Sequence, residues 1–180
     1  MATSFIMIPD GTVGTSTWTA KAGGNAEYTN VDNDDGDTDY AYTNTNAQRM
    51  TFNLASPSVS EAEIASINTV TIKASASKTL SGNSLVKFYM MGTDGDSGTI
   101  ASGPDTITVT SGPGYATITG PDETTPNSGD WVYGDLSGLQ IRAEKFRNDR
   151  FGQLRISYFY VVVDYEAAAA DNAIFFGANF

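Results

Sequence analysis

The sequence contains no cysteine and no histidine. The first absence removes disulfide staples, thiolate nucleophiles and metal–sulfur sites. The second removes the side chain that titrates nearest neutral pH and most often serves as general base or transition-metal ligand. No Gly-x-Ser-x-Gly elbow is present either, and serines in turns such as Ser97-Gly98 or Ser111-Gly112 have no histidine to activate them. An enzyme is therefore not expected. Positive charge is also scarce, 10 Lys and Arg against 21 Asp and Glu for a net charge of −11, which disfavours a nucleic-acid partner. Nowhere do roughly 18 apolar residues run together, as a spanning helix needs. The opening Met-Ala-Thr-Ser-Phe-Ile-Met-Ile-Pro carries no basic leader, so neither a secretion signal nor a membrane span is expected.

What is abundant is Gly, Ser, Thr, Asn and Asp, the residues of tight turns between short strands. At 180 residues one domain with a proper core is the default. Residues 1–26 lack sustained periodicity and read as an extended N-terminal arm, whose Phe5, Ile6, Ile8 and Trp18 anchor it to its own domain or to a neighbour. Period-two alternation begins at Tyr40 and Tyr42 and continues through Met50, Phe52 and Leu54. Ser60 and Glu63 have capping-box spacing for one helical turn.

Val70, Ile72, Ala74 and Ala76 alternate with Thr71, Lys73, Ser75 and Ser77, a half-solvated strand, and Leu85 to Met91 returns after Ser81-Gly82-Asn83. Further strands are predicted at 105–110, 114–119, 130–133 and around Leu139, Ile141 and Ala143. Residues 153–165 form the surest one: Tyr158 to Val163 is apolar on both faces, as in a central strand. Beyond it, 166–180 leaves Ile174, Phe175, Phe176 and Phe180 without a strand to bury them and predicts a C-terminal docking tail. The fold class is all-β, an antiparallel jelly-roll-type β-sandwich over 27–165 with extended N- and C-terminal arms.

Three local patterns carry a resemblance. They are Tyr28-Thr29-Asn30-Val31-Asp32 followed by an Asp-rich turn and Thr38-Asp39-Tyr40-Ala41-Tyr42; Trp131 leading to Leu139-Gln140-Ile141-Arg142; and Leu154-Arg155-Ile156-Ser157 running into Val161-Val162-Val163-Asp164-Tyr165. In order and spacing the chain resembles small phage virion structural proteins of the capsid decoration or cement and neck or tail accessory type. The resemblance implies a jelly-roll sandwich that acts as glue or as an adhesion module, and it transfers no residue-level role.

Several constellations invite chemistry. Asp32, Asp34, Asp35, Asp37 and Asp39 place five carboxylates in eight residues, enough oxygen to wrap calcium. The EF-hand template fails here, with Val31 at its first position and no closing glutamate, so a solvated acidic turn is the stronger reading. Asp94-Gly95-Asp96 is more simply a hairpin turn. Asp122, Glu123 and Asp130 beside Trp131 suggest the carboxylate pair of a sugar hydrolase, whose separation sequence does not give. Trp18, Trp131, Tyr28, Tyr115 and Tyr133 are candidate sugar-stacking rings, although core anchors are the commoner use. Arg142, Lys145, Arg147 and Arg150 form a basic cluster, either a solvated loop or a patch meeting an acidic neighbour.

The expectation is a non-catalytic capsid decoration protein on the outer surface of a phage head, or on its neck or tail. It would bind the major capsid protein or other virion subunits through its arms and stabilise the particle by mass action. It would need no cofactor unless calcium binds the acidic turn. A homo-oligomer, with a trimer favoured, is expected on symmetry grounds. The alternative is a carbohydrate-binding or host-adhesion module of a tail or neck fibre.

Overall fold

The computed structural model of the chain describes residues 2–79, 84–92, 106–110, 112, 114–126, 129–147 and 152–169. Alternating stretches become strands in the order β1 (Ala2–Met7), β2 (Pro9–Thr12), β3 (Thr19–Ala20), β4 (Ala41–Thr43), β5 (Arg49–Leu54), β6 (Ile64–Lys78), β7 (Ser84–Met91), β8 (Thr106–Val109), β9 (Ala116–Glu123), β10 (Gln140–Arg147) and β11 (Leu154–Ala167). They pair as two antiparallel sheets. The front sheet runs β3-β4-β11-β6-β9 with β1 also on β11, and the back sheet runs β2-β5-β10-β7-β8. The chain is an all-β antiparallel sandwich.

Between the sheets lies one apolar core that includes Trp18, Met50, Phe52, Leu139, Ile141, Ile156, Phe159 and Val161, all without solvent exposure. Phe88 of β7 meets Phe159 of β11 across the sandwich, ring centroids 5.0 Å apart. Such pairs add to the area term that dominates a core of this kind.

Residues 2–20, expected within an arm of 1–26, belong to the sandwich. Met7 pairs with Val161 in the front sheet and Pro9 with Leu54 in the back sheet, so the chain changes sheets at Ile8. Phe5 and Met7 face inward, and Phe5 packs edge-on against Tyr165 at 5.6 Å. Trp18 is fully buried. The arm boundary at residue 26 thus coincides with no break in strand pairing, because each short strand is completed by distant partners rather than by local periodicity.

Two further expectations change. β6 starts at Ile64 and is buried on both faces from Val70 onward except at Lys73. It lies between β11 and β9, where small Thr and Ser side chains sit beneath taller neighbours such as Tyr158, opposite Ser75. Residues expected as a strand at 130–133 instead enter a helical turn, α1 (Tyr133–Leu136), because the Asp135 carboxylate accepts the Val132 N–H at 2.9 Å. The turn predicted from Ser60 and Glu63 is present as a 3-10 turn over Glu61–Glu63. Glu63 accepts from both the N–H and the hydroxyl of Ser60.

Candidate binding face

β11 is the axis of the front sheet, and its outward side chains set the chemistry of the exposed face. Val162, opposite Ile6 on β1 and Thr71 on β6, is followed down the strand by Tyr160 beside Lys73 and Tyr158 beside Ser75. Directly opposed residues in an antiparallel pair share a face, so Ile6, Val162, Tyr160 and Tyr158 form one apolar strip. Ile6 is 50% exposed. The rings of Tyr158 and Tyr160 stack on each other with centroids 4.3 Å apart and an interplanar angle of 23°.

The acidic turn reaches this strip through a gap in strand pairing. Along one edge of β11, β4 pairs with Leu154–Ile156 and β1 with Val161–Glu166. Between them Phe159 donates its N–H to Val31, and Asp32 bridges Tyr158. Asp39 is held at the base of the turn, accepting from the Asn30 amide and from the Tyr40 N–H. Arg155 pairs with Asp37 at 3.3 Å, while the Lys21 ammonium donates to the Asp37 and Thr38 carbonyls. With its far end tied by these two cations, the turn projects Asp34 and Asp35 into solvent. Partial burial, with the charges of Asp35 and Asp39 adding to it, raises the Asp32 carboxyl above its ordinary range. Burial also raises the Tyr158 and Tyr160 hydroxyls, with Asp34 pushing both the same way. Among the described residues no three carboxylates converge in a group that could hold a metal ion.

Next to the turn, Tyr40 carries the Arg155 guanidinium over its ring at 4.7 Å and contacts Tyr42 and Tyr115 at 6.0 and 6.5 Å. Burial pushes the Tyr115 hydroxyl up to about 12.

The other candidates separate. Phe5 and Trp18 are core residues, whereas Ile6 and Ile8 point outward. Ile174, Phe175, Phe176, Phe180 and Arg150 lie outside the described residues, as does the turn at Asp94-Gly95-Asp96. Of the basic cluster, Arg142 and Lys145 do not share an exposed patch. Arg142 is half-buried on the back sheet with its Nε donating to Thr51. Lys145 is fully buried and donates to the Thr43 and Gly152 carbonyls, because alternation along β10 turns it inward. Arg147 closes β10.

Trp131 is 3% exposed and spends its N–H on the Glu123 carbonyl, so neither tryptophan offers a ring face to a sugar. Tyr28 packs against the core, and Tyr133 donates its hydroxyl to Val59. Asp122 accepts from Thr71 on the front face, Glu123 as the next strand residue turns away, and Asp130 is exposed. What sequence reasoning missed is the joining of Tyr158 and Tyr160 to the acidic turn and to Ile6.

No family model matches the chain. No curated protein matches it. Among solved structures, it is similar to the CBM36-1 domain of a multidomain xylanase from the hindgut metagenome of Trinervitermes trinervoides, at 11% identity over 89% of this chain and 96% of that one, with a TM-score of 0.46. It is similar to a CBM4 structure at 13% identity over 84% and 92% of the two chains, with a TM-score of 0.39. A structure of infectious bursal disease virus, Gx strain, matches at 12% identity over 94% of this chain and 37% of that chain, with a TM-score of 0.26. These are likenesses of sandwich architecture.

Proposed function

We propose that the chain is a non-catalytic structural protein of a phage virion, a decoration or accessory subunit that binds assembled subunits and stabilises the particle. The observation that carries this reading is the apolar strip Ile6, Val162, Tyr160 and Tyr158 on the outer face of a sheet whose inner face already fills the core. A contiguous apolar strip on a sandwich face is the mark of a surface that is covered in use. The sequence patterns shared with phage virion proteins support the same assignment. The tail residues Ile174, Phe175, Phe176 and Phe180 add a second docking element within this proposal.

Binding to phage heads stripped of accessory proteins, scored by co-sedimentation, tests the reading. Full-length protein is expected to sediment with the heads, and Ile6→Ser to lose most of that binding while keeping its melting temperature. Failure of the full-length protein to bind heads or tails, together with binding on a glycan array, would replace this reading with host adhesion.

A further inference from the structure

The strip is bordered by carboxylates. Asp32 bridges Tyr158 on the β11 edge, Asp34 lies close enough for its charge to act on both tyrosines, and Asp35 adds its charge beside Asp32; at the other side Asp122 accepts from Thr71 in the row of Val162, and Asp164 from Thr69 in the next row. Arg155 is paired with Asp37 and Lys21 with backbone carbonyls, and Lys73, opposite Tyr160, lies on the β6 side of β11, across the strand from the acidic turn. An apolar centre with an acidic border calls for a partner of opposite charge and matching apolar surface.

We propose that this face docks an arginine- or lysine-bearing protein segment of another virion subunit, its apolar side chains laid on Ile6 and Val162 and its cations between the tyrosine stack and Asp32, Asp34 and Asp35. The inference deepens, and rests on, the virion reading. A guanidinium suits both halves of the site, since it stacks on aromatic rings and pairs with carboxylates in a planar fork. Asp32 fits this use, because its burial beside Asp35 and Asp39 already disfavours its charge, and an arriving cation relieves that cost.

A sugar fits less well. Ile6 and Val162, at the centre of the strip, offer no hydrogen bonds to hydroxyl groups. A second copy of this chain would bring a net charge of −11 toward an acidic border.

The test uses full-length protein, the variant Asp32→Asn/Asp34→Asn/Asp35→Asn, and Ile6→Ser. One arm is co-sedimentation with stripped heads across a salt series. The other is an NMR titration with a short peptide alternating arginine and leucine, with a glutamate–leucine peptide and a linear oligosaccharide as controls. The expected result is head binding that falls about tenfold or more as salt rises, with loss in both variants. In the NMR arm, Ile6, Val162, Tyr158 and Tyr160 should shift with the cationic peptide alone. If Ile6→Ser loses head binding but the triple variant keeps it at every salt, the inference fails and the virion reading stands. If full-length protein binds neither heads nor tails, the virion reading fails. Shifts with the oligosaccharide, or self-association abolished by the same substitutions, would assign the face to a glycan or to a second copy and overturn the inference.

Discussion

Trp18 donates its indole N–H to the Gln48 carbonyl at 2.9 Å from a position with no solvent exposure, joining the β2–β3 connection to the start of β5. Its ring is part of the core, and Trp18→Ala should cost about 3–5 kcal/mol in urea unfolding, against about 1–2 kcal/mol for Trp18→Phe, which keeps most of the volume and loses the hydrogen bond. A truncation lacking residues 1–26 should fail to fold, since it removes β1, β2 and β3 together. A cooperative transition in that truncation, at the full-length midpoint, would show that the N-terminal strands are dispensable.

Asp32 should be a stability liability at neutral pH. Its folded-state pKa is raised, first by burial and then by Asp35 and Asp39. Its contribution is therefore fullest below the ordinary carboxylate range and is lost as pH rises through the raised value. Asp32→Asn is expected to melt higher than wild type at pH 7, with the gap closing in acid. Thermal unfolding across pH 3 to 7 reads this, and a gap that widens on acidification contradicts the assignment.

The Ser60–Glu63 box should behave in the opposite sense. The Ser60 hydroxyl and N–H hold the Glu63 carboxyl below its ordinary value, so its contribution is present above the unfolded carboxylate pKa and disappears as pH falls through the lowered one. Glu63→Gln should melt slightly below wild type at neutral pH and equal it in strong acid. Ser60→Ala should shrink that difference, leaving the part supported by the Ser60 N–H.

At the alkaline end, Tyr115, held up to about 12 chiefly by burial, keeps its proton longer in the folded chain than in the unfolded one. The stability it contributes is intact below about pH 10 and is lost as pH rises towards 12. Absorbance titration of the phenolates should show Tyr115 among the last to ionise, and Tyr115→Phe should remove that late step.

Gly112 approaches the backbone of Lys78 so closely that a Cβ would fall well inside contact with the Lys78 carbonyl. Since backbone cannot swing aside as a side chain does, Gly112→Ala should destabilise by about 1–3 kcal/mol. An unchanged denaturation midpoint would mean that the β8–β9 connection shifts freely.

How far the sequence could be read depended on where each residue's partner lies. β11 was legible because Tyr158 to Val163 is apolar on both faces, and β5 and β7 because their alternation is unbroken over several residues. β1, β2 and β3 were not, since two to six residues among Gly, Thr and Ser carry little periodicity and their partners lie far along the chain. The parity of Phe5 and Met7 against Ile6 and Ile8 was nevertheless in the sequence, and it separates core from surface there. The helical turn after Trp131 escaped because Asp135 fixes it through one local hydrogen bond. The candidate face was seen only in pieces: the tyrosines as strand residues and the carboxylates as a turn. Their meeting depends on Val31 and Asp32 filling a gap on the β11 edge, which no spacing rule reports.

The pairing of β1 with β11 also has a cost in time. Among the described strands the earliest, β1, finds its hydrogen-bonding partner only in the latest, β11, so much of the front sheet must wait until synthesis has passed residue 166. Such long loop closures fold slowly and leave strand edges open to other nascent copies. A subunit built this way would gain from chaperone shelter or from slow translation just after β11, and its yield in a foreign host should depend on both.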